Sequence, residues 1–227
     1  MKKSLRSCGE YLWALPVLTL CCIVSLGGFA QDLSSGNFWH EDDLAFEFIG
    51  QVKNSPPAGP GLPFTSVQYG YLSHIAGISD NQIFAPGDQS DNTARYTFYN
   101  DAVRLSLTVH GNLRIVTRVG TTTIYYHQNP HGDLATPNPD SFRDGTPVLT
   151  TKWRHQVVFD ATDPTGYFFV NFFHKVTSSV TFATVEGNSV RLAKLSQKLR
   201  MSLIGSNDPA GLVDGKFAGF VTRSANQ

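Results

Sequence analysis

The chain has 227 residues, 18 Lys and Arg against 18 Asp and Glu, a formal net charge of zero and 41% hydrophobic residues. That balance excludes a partner held by phosphate neutralisation, which needs a basic surplus, so no nucleic-acid partner is expected. All three cysteines (Cys8, Cys21 and Cys22) lie near the start, which excludes thiol chemistry, disulfides and Cys-ligated metal from the rest of the chain.

In chain order, Lys2, Lys3 and Arg6 precede an apolar run from Tyr11 to Leu26, which ends in Gly28 and Ala30. A charged segment, an apolar segment and small residues at the cut predict a secretory signal peptide over residues 1–30, cleaved near Ala30. The expected location is therefore secreted or periplasmic. Pro16 and the shortness of the run argue against a membrane anchor. Cleavage leaves 197 residues, 15 of them basic and 17 acidic, enough for one domain with a sizeable core. Residues 31–44 are expected to be a loosely held arm, and 45–227 the folded domain. No later stretch is long and apolar enough to cross a membrane as a helix, so no span is expected after cleavage.

Beyond the arm, apolar residues recur mainly with period two. AFEFIGQV (45–52) is the first strand. SVQYGYLSHI (66–75) puts Val67, Tyr69, Tyr71 and Ile75 on one face. TARYTFYN (93–100) and AVRLSLTVH (102–110) read as a hairpin about Asn100-Asp101, with Val103, Leu105, Leu107 and Val109 as the apolar face of the second strand. Gly111-Asn112 is a turn signal. It precedes LRIVTRVGTTTIYYH (113–127), a long strand in which Gly120 predicts a bulge or bend. KWRHQVVFD (152–160), a turn at DPTG (163–166) and YFFVNFFHKVTSSVTFATV (167–185) follow. The stretch 193–203 suits either a helix, through Leu192, Leu195 and Leu199, or a strand broken only by Gln197; the strand pattern fits better. GKFAGFVTR (215–223) closes the chain. This predicts an all-β protein, a single antiparallel β-barrel of about eight strands with little helix. Closure is favoured over a sandwich because strands this long would otherwise leave open edges.

Two connections are longer than tight turns. NSPPAGPGLP (54–63) and residues 128–150 hold four prolines each. A loop as long as the second is often a lid or a binding loop, and otherwise surface decoration.

The seven histidines are His40, His74, His110, His127, His131, His155 and His174. None has HExxH spacing, and His127 and His131, four apart, are separated by Pro130 in a loop. No metal site is expected. His155 shares the apolar face of Trp153, Val157 and Phe159, and His174 that of Phe168, Val170, Phe172 and Val176. A turn near residue 163 places 155 opposite about 171 and 174 opposite about 152, so the two rings are offset and need not touch. Both are candidates for a general acid or base inside an apolar barrel, where burial lowers the pKa of a histidine. The competing reading is a structural histidine satisfied by backbone or hydroxyl groups. Gln197, Trp153, Phe172 and Tyr125 are the candidate ligand-binding residues. The opposite face around Asn171, with Tyr167, Phe169, Phe173 and Lys175, is apolar at one end too, so the strand is expected to be covered on both sides there. There is no GxSxG, GxGxxG or P-loop, and no cofactor is expected. Asp140, Arg143 and Asp144 read as a turn network.

TARYTFYND with the strand after it, the GNL turn, the Thr-rich strand carrying GTTTIYY and the terminal GKFAGF give residues 93–223 a pattern that resembles the allene oxide cyclase-like and dirigent-like β-barrels, and also uncharacterised secreted bacterial proteins. The resemblance implies a calycin-like or allene oxide cyclase-like barrel with a small-molecule cavity. The plant cyclases are associated with a cavity glutamate and a cysteine; no cysteine follows residue 30 and none of Glu41, Glu47 and Glu186 is matched to the cavity position, so no catalytic residue is carried over. The expected function is an exported barrel that binds a small, largely apolar molecule, with a cofactor-free cyclase or isomerase as the enzymatic version. The alternative is a non-catalytic envelope or extracellular module with a packed barrel, and a third reading is a hydrolase built from spatially gathered His and Asp. Whether the protein is an enzyme, and its oligomeric state, stay open at this point.

Overall fold

Ten strands make up most of the described residues in a computed structural model, which describes 44–136, 138–208 and 214–223. The expected signal peptide and most of the arm lie outside the described residues. The strands are β1 (Leu44–Ser55), β2 (Thr65–Ile75), β3 (Tyr96–His110), β4 (Leu113–Tyr126), β5 (Thr146–Asp160), β6 (Tyr167–Ser179), β7 (Phe182–Ala183), β8 (Ser189–Val190), β9 (Lys198–Ser206) and β10 (Gly215–Arg223). Eight close into an antiparallel barrel in the order β1-β10-β9-β6-β5-β4-β3-β2, and β7 with β8 forms a separate ribbon. The all-β barrel expectation holds. Among the described residues, helix is confined to one turn at Asp80–Ile83 and a 3-10 turn at Pro139–Phe142.

Alternation sends one face of each strand inward. Phe48, Phe98, Ile124, Phe172, Met201, Leu203 and Phe217 fill the interior from six different strands. Phe48 contacts Phe98 and Phe217 edge-on, with centroids 5.8 and 6.1 Å apart, a geometry that adds to area burial. Several strands differ in detail from their sequence reading. β3 runs unbroken through Asn100-Asp101, because Asn100 points inward and donates from Nδ2 to Gln68 Oε1 at 3.1 Å. Its second half pairs with β4 alone past Val103, with a bulge between Arg104 and Ser106. The expected apolar face there, including Leu105, Leu107 and Val109, is exposed. Gly120 is no bulge: it pairs in register with Ala102 and Trp153. The last ambiguous segment is a turn over 193–197, with Ser196 at φ 65°, followed by strand from Lys198.

The long loop is not a lid. It folds over the outer surface of β2 and β3, where Phe142 packs against Tyr69 at 5.3 Å between centroids, and Tyr99 joins them. Gln51 Nε2 donates to the Leu134 carbonyl at 2.8 Å, and the Tyr69 hydroxyl donates to Gln51 Oε1. So the aromatic face of β2 points outward and is buried beneath a strap, while Ser66 and Gln68 face the barrel. At β6 the expectation of cover on both sides fails. Tyr167, Phe169 and Phe173 stand outward, and Phe173 is 67% exposed.

Candidate functional site

Register places the two candidate histidines within one block of rings. Trp153 pairs with His174 and His155 with Phe172, one position from the sequence estimate, so all four side chains share the inward face. His155 stacks 4.5 Å from Trp153 and 4.3 Å from Phe172, and Phe172 lies 5.4 Å from His174. His155 is 1% exposed and neither ring nitrogen has a protein partner. His174 Nδ1 shares a 2.8 Å hydrogen bond with Thr151 Oγ1, while its Nε2 has none. Burial pushes His155 down to about 2, assisted by the positive Arg118, and pushes His174 down to about 3. Both rings are neutral at physiological pH. A proton donor or acceptor works best with a pKa near the working pH, so neither ring is tuned for acid–base catalysis.

Across the barrel wall these rings continue into a polar belt. Gln68 pairs with Asn100, Asn100 with Thr122 and Thr122 with Thr151. Asn100 Oδ1, Thr122 Oγ1 and Trp153 Nε1 are also buried without a protein partner. A void of about 30 Å³ borders Gln68, Asn100 and Thr122 among Phe48, Phe98 and Phe217. The barrel waist is otherwise packed.

One end is different. Where β4 begins and β5 ends, a cavity of about 220 Å³ opens, lined by Val52, Val116, Val157, Phe159, Phe168, Val170, Phe172, Leu203 and Phe217. Among the described residues, polar groups enter from Arg118, Asn54, Gln68, Asn207 and Asp214, besides the backbone at Gly166. Arg118 Nη1 donates to Ser66 Oγ at 3.0 Å and Nη2 to Asn54 Oδ1 at 2.8 Å. The Asn54 backbone N–H donates to Asp214 Oδ2. No carboxylate lies within ion-pair distance of the Arg118 guanidinium among the described residues. Arg104 is its cross-strand neighbour. Burial lowers the Arg118 pKa to about 10, with Arg104 acting in the same direction and Asp214 opposing. The guanidinium stays charged at physiological pH.

Of the predicted ligand residues, Phe172 lines this cavity. Trp153 and His155 lie one layer further in, His155 being the cross-strand partner of Arg118. Tyr125 faces outward against the strap cluster, and Gln197 is in the turn before β9, its Oε1 accepting from the Lys194 N–H at 2.9 Å; neither belongs to the barrel interior. Arg118 escaped sequence reading because both faces of its strand carry β-branched residues. Its one signal is that it alternates with Val116, Thr122 and Ile124, so an arginine stands in an inward row. The loop also brings His127, His131 and Asp144 together, although Asp144 is 13 residues beyond His131.

Fold and site together define a closed eight-stranded antiparallel barrel with an apolar, arginine-edged cavity at one end. Comparison of the chain with known protein families, with curated proteins and with solved structures found no match.

Proposed function

We propose that this is an exported barrel that binds a small, largely apolar molecule bearing one anionic group. The apolar body occupies the end cavity and the anion meets Arg118. The observation that carries this reading is a guanidinium with no carboxylate within ion-pair distance among the described residues, on the edge of a largely apolar cavity. Arginine presents several donors in a fixed fork that matches a carboxylate, and three of its N–H groups remain beyond the two bonded to Ser66 and Asn54. The volume, equal to about seven waters at roughly 30 Å³ each, is below the ~300 Å³ common for ligand sites. The cavity is open at its mouth, so a ligand extends outward past Arg118 rather than being enclosed.

Binding, not proton transfer, is the function supported, since the two buried histidines are held neutral. The resemblance to cyclase-like barrels is consistent with a cavity and supplies no reaction. The outer wall mixes exposed Lys152, Arg154, Lys175 and Arg200 with exposed Tyr167, Phe169 and Phe173, and no described helix is long and apolar enough to cross a membrane. A second reading, a non-catalytic interaction module, is favoured by the packed waist.

Calorimetric titration with octanoate and with octanol separates the two. The first reading expects octanoate to bind at least about tenfold tighter than octanol, and Arg118→Gln to erase that difference. Failure of octanoate to bind, or an unchanged preference in the variant, would leave the interaction module.

A further inference from the structure

We propose that His127, His131 and Asp144 form a site for one borderline divalent transition ion of the zinc class, at the end of the barrel away from the cavity. The inference is independent of the ligand reading above. Each of the three residues offers one ligand atom, and these atoms lie within 4.8 Å of one another. His131 Nε2 is 2.8 Å from Asp144 Oδ2, and His127 Nδ1 is 3.6 Å from Asp144 Oδ1. Bringing them onto a common ion, at about 2.0–2.2 Å from each donor, requires only side-chain movement by the two exposed members.

The hydrogen-bond logic behind the rings points the same way. Thr97 Oγ1 carries a single hydrogen, and it donates to the Phe142 carbonyl at 2.8 Å. Its 2.8 Å contact with His127 Nε2 must then be accepted from the ring N–H. That fixes the neutral tautomer of His127, with the Nδ1 lone pair turned toward Asp144. His131 Nδ1 donates to the Asn129 carbonyl at 3.2 Å, which can only accept, and Nε2 donates to Asp144 Oδ2 at 2.8 Å, a proton that a bound ion would displace. In both histidines the far nitrogen is held by an acceptor, and the near nitrogen is aimed at Asp144. This is the outer-shell arrangement that orients metal-binding imidazoles.

The surroundings leave the three groups to one another. Arg143, between the strap and the aspartate, is taken by Asp140 at 2.7 Å and lies over the Tyr99 ring. His127 is buried at the end of β4, whereas His131 and Asp144 are exposed, so an ion has an entry path and a coordination position open to water. At Gly145 a Cβ would lie 2.7 Å from His127 Nε2, so that glycine gives the ring its room. Two imidazoles and one carboxylate suit zinc, cobalt, nickel or copper, and not calcium or magnesium, which prefer all-oxygen shells. Sequence spacing pointed to no metal because Pro130 breaks the local pattern. The third ligand comes from the far end of the loop, which Phe142 anchors.

The test uses the chain without an affinity tag, stripped with chelator and titrated with Zn²⁺, and with Co²⁺ as a spectroscopic probe. One equivalent of Zn²⁺ is expected to bind and raise the melting temperature, and Co²⁺ to give ligand-field bands of a low-coordinate site. His127→Ala is avoided as the sole variant, since its burial makes misfolding a competing explanation. His131→Ala and Asp144→Asn are exposed; each is expected to weaken Zn²⁺ binding at least tenfold without changing the metal-free melting temperature. Absence of saturable Zn²⁺ binding, or equal affinity in both variants and the parent, overturns the proposal.

Discussion

His155 illustrates how one buried ring couples to the stability of the whole chain. Its pKa in the folded state, about 2, and that of His174, about 3, lie below the unfolded value of 6.5. Above pH 6.5 both states bind the same number of protons at these sites, and stability is unaffected. As pH falls below 6.5 the unfolded chain takes up protons that the folded chain excludes, so stability declines toward the folded values. Each such histidine contributes a slope of up to about 1.4 kcal/mol per pH unit. Urea unfolding measured between pH 6.5 and 4 is expected to show this decline, and His155→Phe to reduce the slope by about one proton. An unchanged slope would mean that the ring is protonated in place, contrary to its burial between Trp153 and Phe172.

At the scale of the strand, β4 depends on the absence of a side chain. A Cβ on Gly120 would lie 2.1 Å from the Asp101 carbonyl oxygen and 2.5 Å from Trp153 Cζ2. The backbone is fixed in the sheet, and the indole is held against His155 and Phe172, so neither yields cheaply. Gly120→Ala is expected to cost about 1–3 kcal/mol or more, measured by denaturant unfolding. Phe173→Ser, on the exposed outer face of β6, is expected to stay within about 0.5 kcal/mol of the parent. A neutral Gly120→Ala would show that the wall relaxes around Trp153. Alternation made most strands legible in the sequence: Gly215–Arg223 and the Gly111-Asn112 turn fall where their residues predict. What the sequence could not show is which face of a strand points inward when both are apolar. The aromatic side of β2 looks like core, and is buried, but on the outside of the barrel beneath residues some seventy positions later. Asn100 reads as a turn residue until Gln68 is placed beside it. The inward arginine at position 118 and the meeting of His127 with Asp144 depend on the same long-range placement, so local pattern could not reveal them.

Over the whole molecule, the packed waist divides the barrel into two ends. The cavity at Arg118 and the cluster at His127 are joined by β4, along which the eight residue steps from Arg118 to Tyr126 span about 26 Å at ~3.3 Å per residue. Between them, among the described residues, the interior holds a void of about 30 Å³, and the long loop is strapped to the outer wall rather than crossing the mouth. Coupling between two sites requires an element with two arrangements that both ligands bias, and a closed barrel wall with a filled centre offers none. Octanoate affinity is therefore expected to stay within about threefold whether or not one equivalent of Zn²⁺ is bound, which is a coupling free energy below about 0.7 kcal/mol. The two ligands are also expected to raise the melting temperature independently, since each binds the folded chain alone. Titration of octanoate into zinc-loaded and chelator-treated protein measures both quantities. A tenfold difference in affinity would show that the strap and the cavity mouth move together, and that the waist transmits what its packing is expected to block.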